Sequence, residues 1–398
     1  MRVCVVAEYY PRRRDPVTGA WAHRQALAAR DAGAEVTVLA LERPLPSAEA
    51  GRELARGRAG RARAEWEAVR EQPRRDTLDG IEVEYVRFAS PPRESSYASW
   101  HRWAQRPLAR ALDRLHAERP IDLVHAHYAL PAGGAALPWA QRAGVPLVLS
   151  VHGGDLLSPL LTTPSARSAV AGVLRGARVT IANSRGMLRE AARLAGGDDR
   201  MRVIHPPGEP PPAGPPPRRT DPTLATLANL DPRKRHADVL EALAALAPRI
   251  PDLRWVVIGH GPEREALAAR ASDLGVAARV EWAGALPPAE AVAELARCHV
   301  LAMPSVHEAF GVAYTEALSC GLPAIGCAGE PGPEELAELT GAMLLVPPRD
   351  PARLAEAIED ALARLGELSE SARAAAADHF SLAVCGQLTV AAYEDALR

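Results

Sequence analysis

Between Pro206 and Pro222 nine of seventeen residues are proline. A segment so rich in proline cannot be a helix interior or a central strand, because the ring fixes φ and removes the backbone donor. It behaves as a stiff spacer. A chain of 398 residues is also longer than one ordinary core serves. The spacer therefore marks a join, with residues 1–205 before it and 223–379 after it. Both flanks repeat one pattern, in which a short apolar run meets a glycine or polar loop and then a helical stretch. Arg2–Ala7, Glu35–Ala40, Ile121–Val124, Leu147–Val151 and Val179–Ala182 read as buried parallel strands. Thr223–Leu227, Arg254–Ile258, Val280–Trp282 and Val300–Met303 read likewise. Such alternation predicts an α/β fold of doubly wound sheets, whose ligands bind beyond the carboxyl ends of the strands.

The most informative strand end is Met303–Gly326, MPSVHEAFGVAYTEALSCGLPAIG. A Pro-Ser turn leads into a loop with Glu308, and a helix beginning near Phe310 or Gly311 carries Glu316 before Gly321 stops it. Free N–H groups and the positive helix end there make an anion site. Carboxylates on either side would accept hydrogen bonds from vicinal hydroxyls. A phosphate flanked in this way suits a nucleotide sugar.

Composition excludes several classes. A net charge of −2 gives no polyelectrolyte argument for nucleic acid. No apolar run reaches membrane-spanning length, and Val3–Ala7 is too short for a signal peptide, so a cytoplasmic protein is expected. Cysteines 4, 298, 320, 327 and 385 have no metal or redox spacing and are expected to be reduced thiols. No G-x-G-x-x-G supports a nicotinamide or flavin. Among 47 basic residues a single lysine survives, Lys234, in the loop after the strand Thr223–Leu227. In a chain this biased towards arginine, that position is a candidate for needing a compact ammonium.

In the first half, His125, His127, His152 and Asp155 fall at strand ends. The His-x-His rings are expected on opposite faces, no carboxylate cluster completes a ligand set, and there is no D-x-D. No metal centre is expected. Arg43–Gly80 opens with Pro44 and Pro46, is dense in arginine, and reads as a solvated loop or frayed helix. Ser95–Arg119 reads as a helix with Trp100, Trp103 and a line of arginines. Plain solvated surface is the first reading of both segments; the alternative is contact with anionic lipid or, for Arg43–Gly80, with an anionic acceptor.

Glu308 and Glu316, with EAFG and EALSCGLP around them, closely resemble the E-x7-E signature of retaining family 4 glycosyltransferases. TGAWAHRQALAARDAGAEVTVLA resembles the opening of bacterial polysaccharide and teichuronic-type cell-wall transferases. VHAHYALPAGG…SVHGGDLL resembles the family's acceptor-side loops. The resemblance implies the GT-B fold, two Rossmann-like domains facing across a cleft, with the last helix, 380–398, rejoining the first domain. It implies a retaining transferase that needs no metal or other cofactor and takes its sugar from a nucleoside diphosphate, UDP favoured, to a hydroxyl acceptor. A glycan, a lipid-linked or a small-molecule acceptor is compatible with it, as is peripheral contact at the inner membrane face. Nothing in the sequence specifies an oligomeric state.

By the same resemblance Glu316 meets the ribose, while Lys234 and the helix amides hold the pyrophosphate. Glu308 with Ala309, Phe310 and Gly311 holds the sugar. Gly19, Gly259, His260, Leu286 and Val312 complete the donor side. His152 touches the transferred sugar, and His127, Tyr128 and Asp155 stand nearer the acceptor. The family usually carries an arginine where this chain has Asn229, so Asn229, Arg233 or Arg235 must replace it. His152, Lys234 and Glu308 are the catalytic set on this reading. Its rivals are a nucleotide-sugar 2-epimerase on the same fold and a non-catalytic partner subunit.

Overall fold

The computed structural model describes residues 1–45, 48–214 and 216–398. Pro46 and Pro215, two of the prolines singled out above, lie outside the described residues. The chain forms two compact units, Met1–His205 with Cys385–Arg398, and Pro206–Val384. The proline-rich segment thus belongs to the second unit instead of standing apart. The return to the first unit begins at Cys385, a few residues beyond the expected Phe380.

In the first unit the strands are β1 (Arg2–Ala7), β2 (Glu35–Glu42), β3 (Arg75–Leu78), β4 (Ile81–Arg87), β5 (Leu123–His127), β6 (Leu147–Val151), β7 (Val179–Ala182) and β8 (Met201–Val203). They lie in the order β3-β4-β2-β1-β5-β6-β7-β8, parallel except for the hairpin β3–β4. The strand order reverses between β1 and β5, the place at which a doubly wound sheet admits a ligand. The helix Ala20–Asp31 starts there from Gly19, whose φ is 81°. A Cβ at Gly19 would stand 2.2 Å from the Tyr9 carbonyl carbon, so only glycine fits.

The second unit contains β9 (Thr223–Leu227), β10 (Arg254–Ile258), β11 (Val280–Gly284), β12 (Val300–Ala302), β13 (Ala324–Cys327) and β14 (Met343–Val346). Their order, β11-β10-β9-β12-β13-β14, reverses between β9 and β12. Both faces are covered. Trp255 and Val257 enter one core cluster, while Val256 and Ile258 enter the other. Alternate residues of one strand thus serve two layers, which is why β10 is apolar from Trp255 to Ile258, after the exposed Arg254.

Two expectations are corrected. The Arg43–Gly80 region contains the helices Ala48–Ala55 and Gly60–Glu71 and the strand β3. Arg61–Glu65 and Arg63–Glu67 pairs, four residues apart, support the second helix. In the helix Arg93–Glu118, Trp100 is buried and its Nε1 donates to Ser90 Oγ at 2.7 Å. Of the two tryptophans expected at its surface only Trp103 is exposed, at 50%. Among the described residues no helix is long and apolar enough to cross a membrane.

Candidate functional site

In the second unit, the loops after β9 and β12 meet at the reversal point. After β9, Asp231 caps the turn Pro232–Lys234 by accepting from the Arg233 N–H. This projects Lys234, whose Nζ donates to Glu308 Oε2 at 2.6 Å. Ser305 Oγ donates to the same oxygen at 3.0 Å. Arg233 Nη1 stands 3.7 Å from it. The Val306 N–H donates to the Arg233 carbonyl at 2.9 Å, tying the two loops together. Burial acts to raise the Glu308 carboxyl, but the Lys234 ammonium, followed by Arg233 and the Ser305 hydroxyl, brings it below its ordinary value.

The next helix is Val312–Ser319, with Gly311 as its N-cap at φ 86°. A Cβ on Gly311 would sit 2.4 Å from the Tyr314 ring. Tyr314 is buried, and its hydroxyl lies 3.1 Å from Ser305 Oγ, so the helix start and the Glu308 loop share one bonded frame. The Phe310 side chain packs in the core against Phe380, which leaves its backbone as the only part able to face a ligand. Glu316 accepts the Glu209 N–H at 3.0 Å, and Gly208 has no side chain to obstruct it.

The strand ends β9 and β10 approach closely. A Cβ on Gly259, at φ 145°, would fall 1.9 Å from the Ala228 carbonyl oxygen, and the Leu230 N–H donates to the His260 carbonyl at 2.9 Å. Asn229 and His260 are exposed beside them, and Leu286 is half-buried after β11. Arg235 is held by Asp238, with Nε donating at 2.9 Å. Of the three groups left open at the missing arginine, Arg233 is therefore the cation beside Lys234. Lys234, Arg233, Glu308 and the Gly311–Val312 helix start form one cluster. Ser305 and Glu330, which accepts the Glu308 N–H at 2.7 Å, are members that the sequence reading missed.

In the first unit His127, at the end of β5, stacks on His152, which follows β6. Their rings are 5.2 Å apart, and His127 Nδ1 lies 3.0 Å from His152 Nε2. The expectation of opposite faces for His125 and His127 is wrong. Residues two apart on a strand share a face, and the two rings are 4.5 Å apart. His125 bridges Tyr393 Oη and Ser150 Oγ, each at 2.8 Å. Asp155 is fully buried and accepts the N–H groups of Ala129 and His152, both at 3.0 Å. Asp155 therefore shapes the loop, and its oxygens are engaged by backbone. Burial lowers His125 and His152 to about 3, with His152 adding to the effect on His125. His127 falls well below its ordinary value through burial and then its two neighbours. All three are neutral at pH 7 and so hydrogen-bond without charge. Among the described residues, no group of three or more His, Cys, Asp or Glu is arranged to hold a metal ion.

Residues 213–379 match the family described as Glycosyl transferases group 1, and residues 18–210 match Glycosyltransferase Family 4. The chain is 31% identical over 246 residues to a GDP-mannose-dependent alpha-(1-6)-phosphatidylinositol monomannoside mannosyltransferase of Mycolicibacterium smegmatis, a match covering 57% of this chain and 64% of the relative. It is 27% identical over 357 residues to a 2-deoxystreptamine glucosyltransferase of Streptomyces kanamyceticus, covering 81% of this chain and 91% of the relative. Among solved structures, Anabaena Alr3699/HepE in complex with UDP superposes with a TM-score of 0.71 at 19% identity, over 99% of this chain and 100% of that one. That last likeness is one of fold.

Proposed function

The chain belongs to the group 1 and family 4 glycosyltransferases, and from that membership we propose that it moves a sugar from a nucleoside-diphosphate sugar to a hydroxyl acceptor with retention of anomeric configuration. The observation that carries this reading is the cluster at the β9/β12 reversal. There Lys234 and Arg233 converge on Glu308 beside the helix start at Gly311. In the proposed complex the cations and the helix amides hold the diphosphate, and Glu316 accepts from the ribose. Glu308 and the backbone of Ala309–Gly311 orient the sugar. Fixed positive groups stabilise the charge that develops on the leaving diphosphate, so the reading requires no metal.

Both Lys234 and Ser305 engage Glu308 Oε2, which disfavours Glu308 as a covalent nucleophile. The proposed step is front-face. The anomeric C–O bond breaks with its electron pair going to the β-phosphate oxygen, and the acceptor oxygen bonds to carbon on the same face. The acceptor's proton passes to the departing phosphate. His152, kept neutral, hydrogen-bonds the transferred sugar, while His127 and Tyr128 lie on the acceptor side.

UDP remains the favoured base, and the GDP-mannose-dependent relative makes GDP the competing outcome. A thermal-shift panel of UDP- and GDP-sugars, followed by transfer assays with the stabilising donor, tests the reading. A true donor raises stability by about 2.7 kcal/mol at a hundredfold over its dissociation constant. No shift with any member, and no transfer, would sink it. Conversion of a UDP-N-acetyl sugar without acceptor would instead identify a 2-epimerase. The exposed Trp66 and Trp103 on the arginine-rich helices are the surface proposed for peripheral membrane contact, to be checked by sedimentation with anionic vesicles.

A further inference from the structure

We propose that His127 is a positioning residue, which donates its ring N–H to His152 and thereby fixes His152 in the tautomer that meets its ligand as a hydrogen-bond donor. The tautomer is a property of the first unit by itself. Its consequence for catalysis rests on the transfer reading above.

His127 ends β5 and His152 follows β6, and the two strands pair with His127 opposite Ser150. This register brings His127 Nδ1 to 3.0 Å from His152 Nε2. The ring planes are 10° apart and the centroids 5.2 Å apart. Nitrogens that close between centroids that far apart lie near the line joining the rings. The N–H of one therefore points along the lone pair of the other, the direction in which a ring nitrogen accepts.

Both rings are neutral at pH 7, because burial depresses their protonation. A neutral imidazole carries one N–H, so a single proton serves this contact and the surroundings decide its owner. His127 is 1% exposed, and its other nitrogen, Nε2, is buried with no hydrogen-bond partner among the described residues. His125 cannot supply one, since Tyr393 Oη and Ser150 Oγ engage both of its nitrogens at 2.8 Å. Were His152 the donor, His127 would accept at Nδ1 and carry its own proton on Nε2, as an N–H sealed from any acceptor. Were His127 the donor, Nε2 would hold only an unused lone pair. Orphaned buried N–H groups are rarer in native proteins than acceptors left under-used. The proton therefore belongs to His127 Nδ1. His152 accepts at Nε2 and carries its own proton on Nδ1.

That leaves Nδ1 as the His152 nitrogen available to a ligand. The residue is half-buried, and its backbone N–H is fixed by Asp155 Oδ1 at 3.0 Å. Its counterpart on the sugar is then an oxygen lone pair and not a hydroxyl proton. His127, enclosed, acts only through His152. The anchored His125 ring, 4.5 Å from His127, holds it in orientation.

Long-range proton–nitrogen NMR of the full chain, labelled with nitrogen-15 in histidine, reads each ring's tautomer. The spectrum of His152→Gln assigns the His152 signals. At pH 7.5 the wild type is expected to carry the His152 proton on Nδ1. His127→Leu removes the donor, so His152 should populate the Nε2–H form, with kcat about tenfold lower and donor KM within about twofold. His127→Asn, whose amide nitrogen can take the place of Nδ1, should restore the tautomer and most of kcat. A residue that merely filled space would change stability without changing the tautomer. His152 protonated on Nε2 in the wild type, or an unchanged Nδ1–H form in His127→Leu, overturns the proposal. The wild-type spectrum decides even where thermal unfolding shows that the leucine variant does not fold. The expected tautomers in a protein that binds no nucleotide sugar uphold the positioning role and refute the transfer reading.

Discussion

Lys234 Nζ lies 2.6 Å from Glu308 Oε2, and the two side chains are 12% and 10% exposed. They come from the loops after β9 and β12, neighbours in the sheet at the point where its order reverses. Each is the other's main charge partner, so removing one leaves a largely buried ion. Lys234→Ala is expected to cut transfer by about a hundredfold or more and to cost about 3 kcal/mol of stability. In the double variant with Glu308→Ala, stability should partly return while transfer does not. Chemical denaturation and initial-rate assays on the three proteins check this; recovery of transfer in the double variant would contradict the assignment.

Arg233 and Arg235 flank that lysine and are predicted to differ. Arg233 Nη1 stands 3.7 Å from Glu308 Oε2, whereas Arg235 is bonded to Asp238 within its own helix start. Arg233→Ala should raise the donor KM about tenfold, the effect of one lost charge-assisted contact. Arg235→Ala should leave KM near wild type and lower only thermal stability. Equal KM values for the two variants would show that Arg233 is not the missing arginine's substitute.

Glu316→Gln keeps an oxygen for the Glu209 N–H that Glu316 accepts at 3.0 Å. The fold should therefore survive, with the charge removed. Binding of the donor is predicted to weaken about tenfold, because a carboxylate bonds a diol more strongly than an amide does. The thermal shift at fixed donor concentration reads this out, and an undiminished shift would remove Glu316 from the ribose site.

Acid should destabilise the first unit through its neutral histidines. Burial lowers His125 and His152 to about 3, and His127 lies well below its usual value. Between those values and about 6.5 the unfolded chain binds more protons than the native one, so stability falls as pH drops through that window. At pH 5.5 the loss is about 1.4 kcal/mol per histidine relative to pH 7.5. His125→Gln, which can still bond Tyr393 and Ser150, should remove roughly a third of the slope that the three share. Denaturant titrations at both pH values measure it; an unchanged slope would place the acid sensitivity elsewhere.

Much of this architecture was legible because both faces of each sheet are buried. A strand such as Arg254–Ile258 must be apolar from Trp255 onward, and a spacer with nine prolines in seventeen residues interrupts two such series. Lys234 stood out because a charge of its geometry had survived alone. The hairpin β3–β4 was not legible from apolar runs because β3 is short and polar (RDTL), although Asp79 and Gly80, at φ 47° and 80°, are a strong turn signal. The bonds from Ser305 and Glu330 to the Glu308 loop were not legible. They depend on how neighbouring loops fold back at one strand end, and no residue pattern in the sequence specifies that. The shared face of His125 and His127 follows from strand periodicity and could have been read correctly.

The last helix, Leu382–Leu397, completes the first unit. Gly386 packs where a Cβ would be 2.2 Å from the Ala28 carbonyl oxygen, Thr389 accepts from Gln25, and Tyr393 bonds His125. The segment that completes the unit of residues 1–205 is therefore made only after the whole of the second unit. On the ribosome, residues 1–205 must wait, with the surface that receives Tyr393 uncovered, while the entire second unit is synthesised and can fold. Termination of synthesis near residue 384 would leave the second unit whole and deprive the first of the helix that Gln25 and His125 bond.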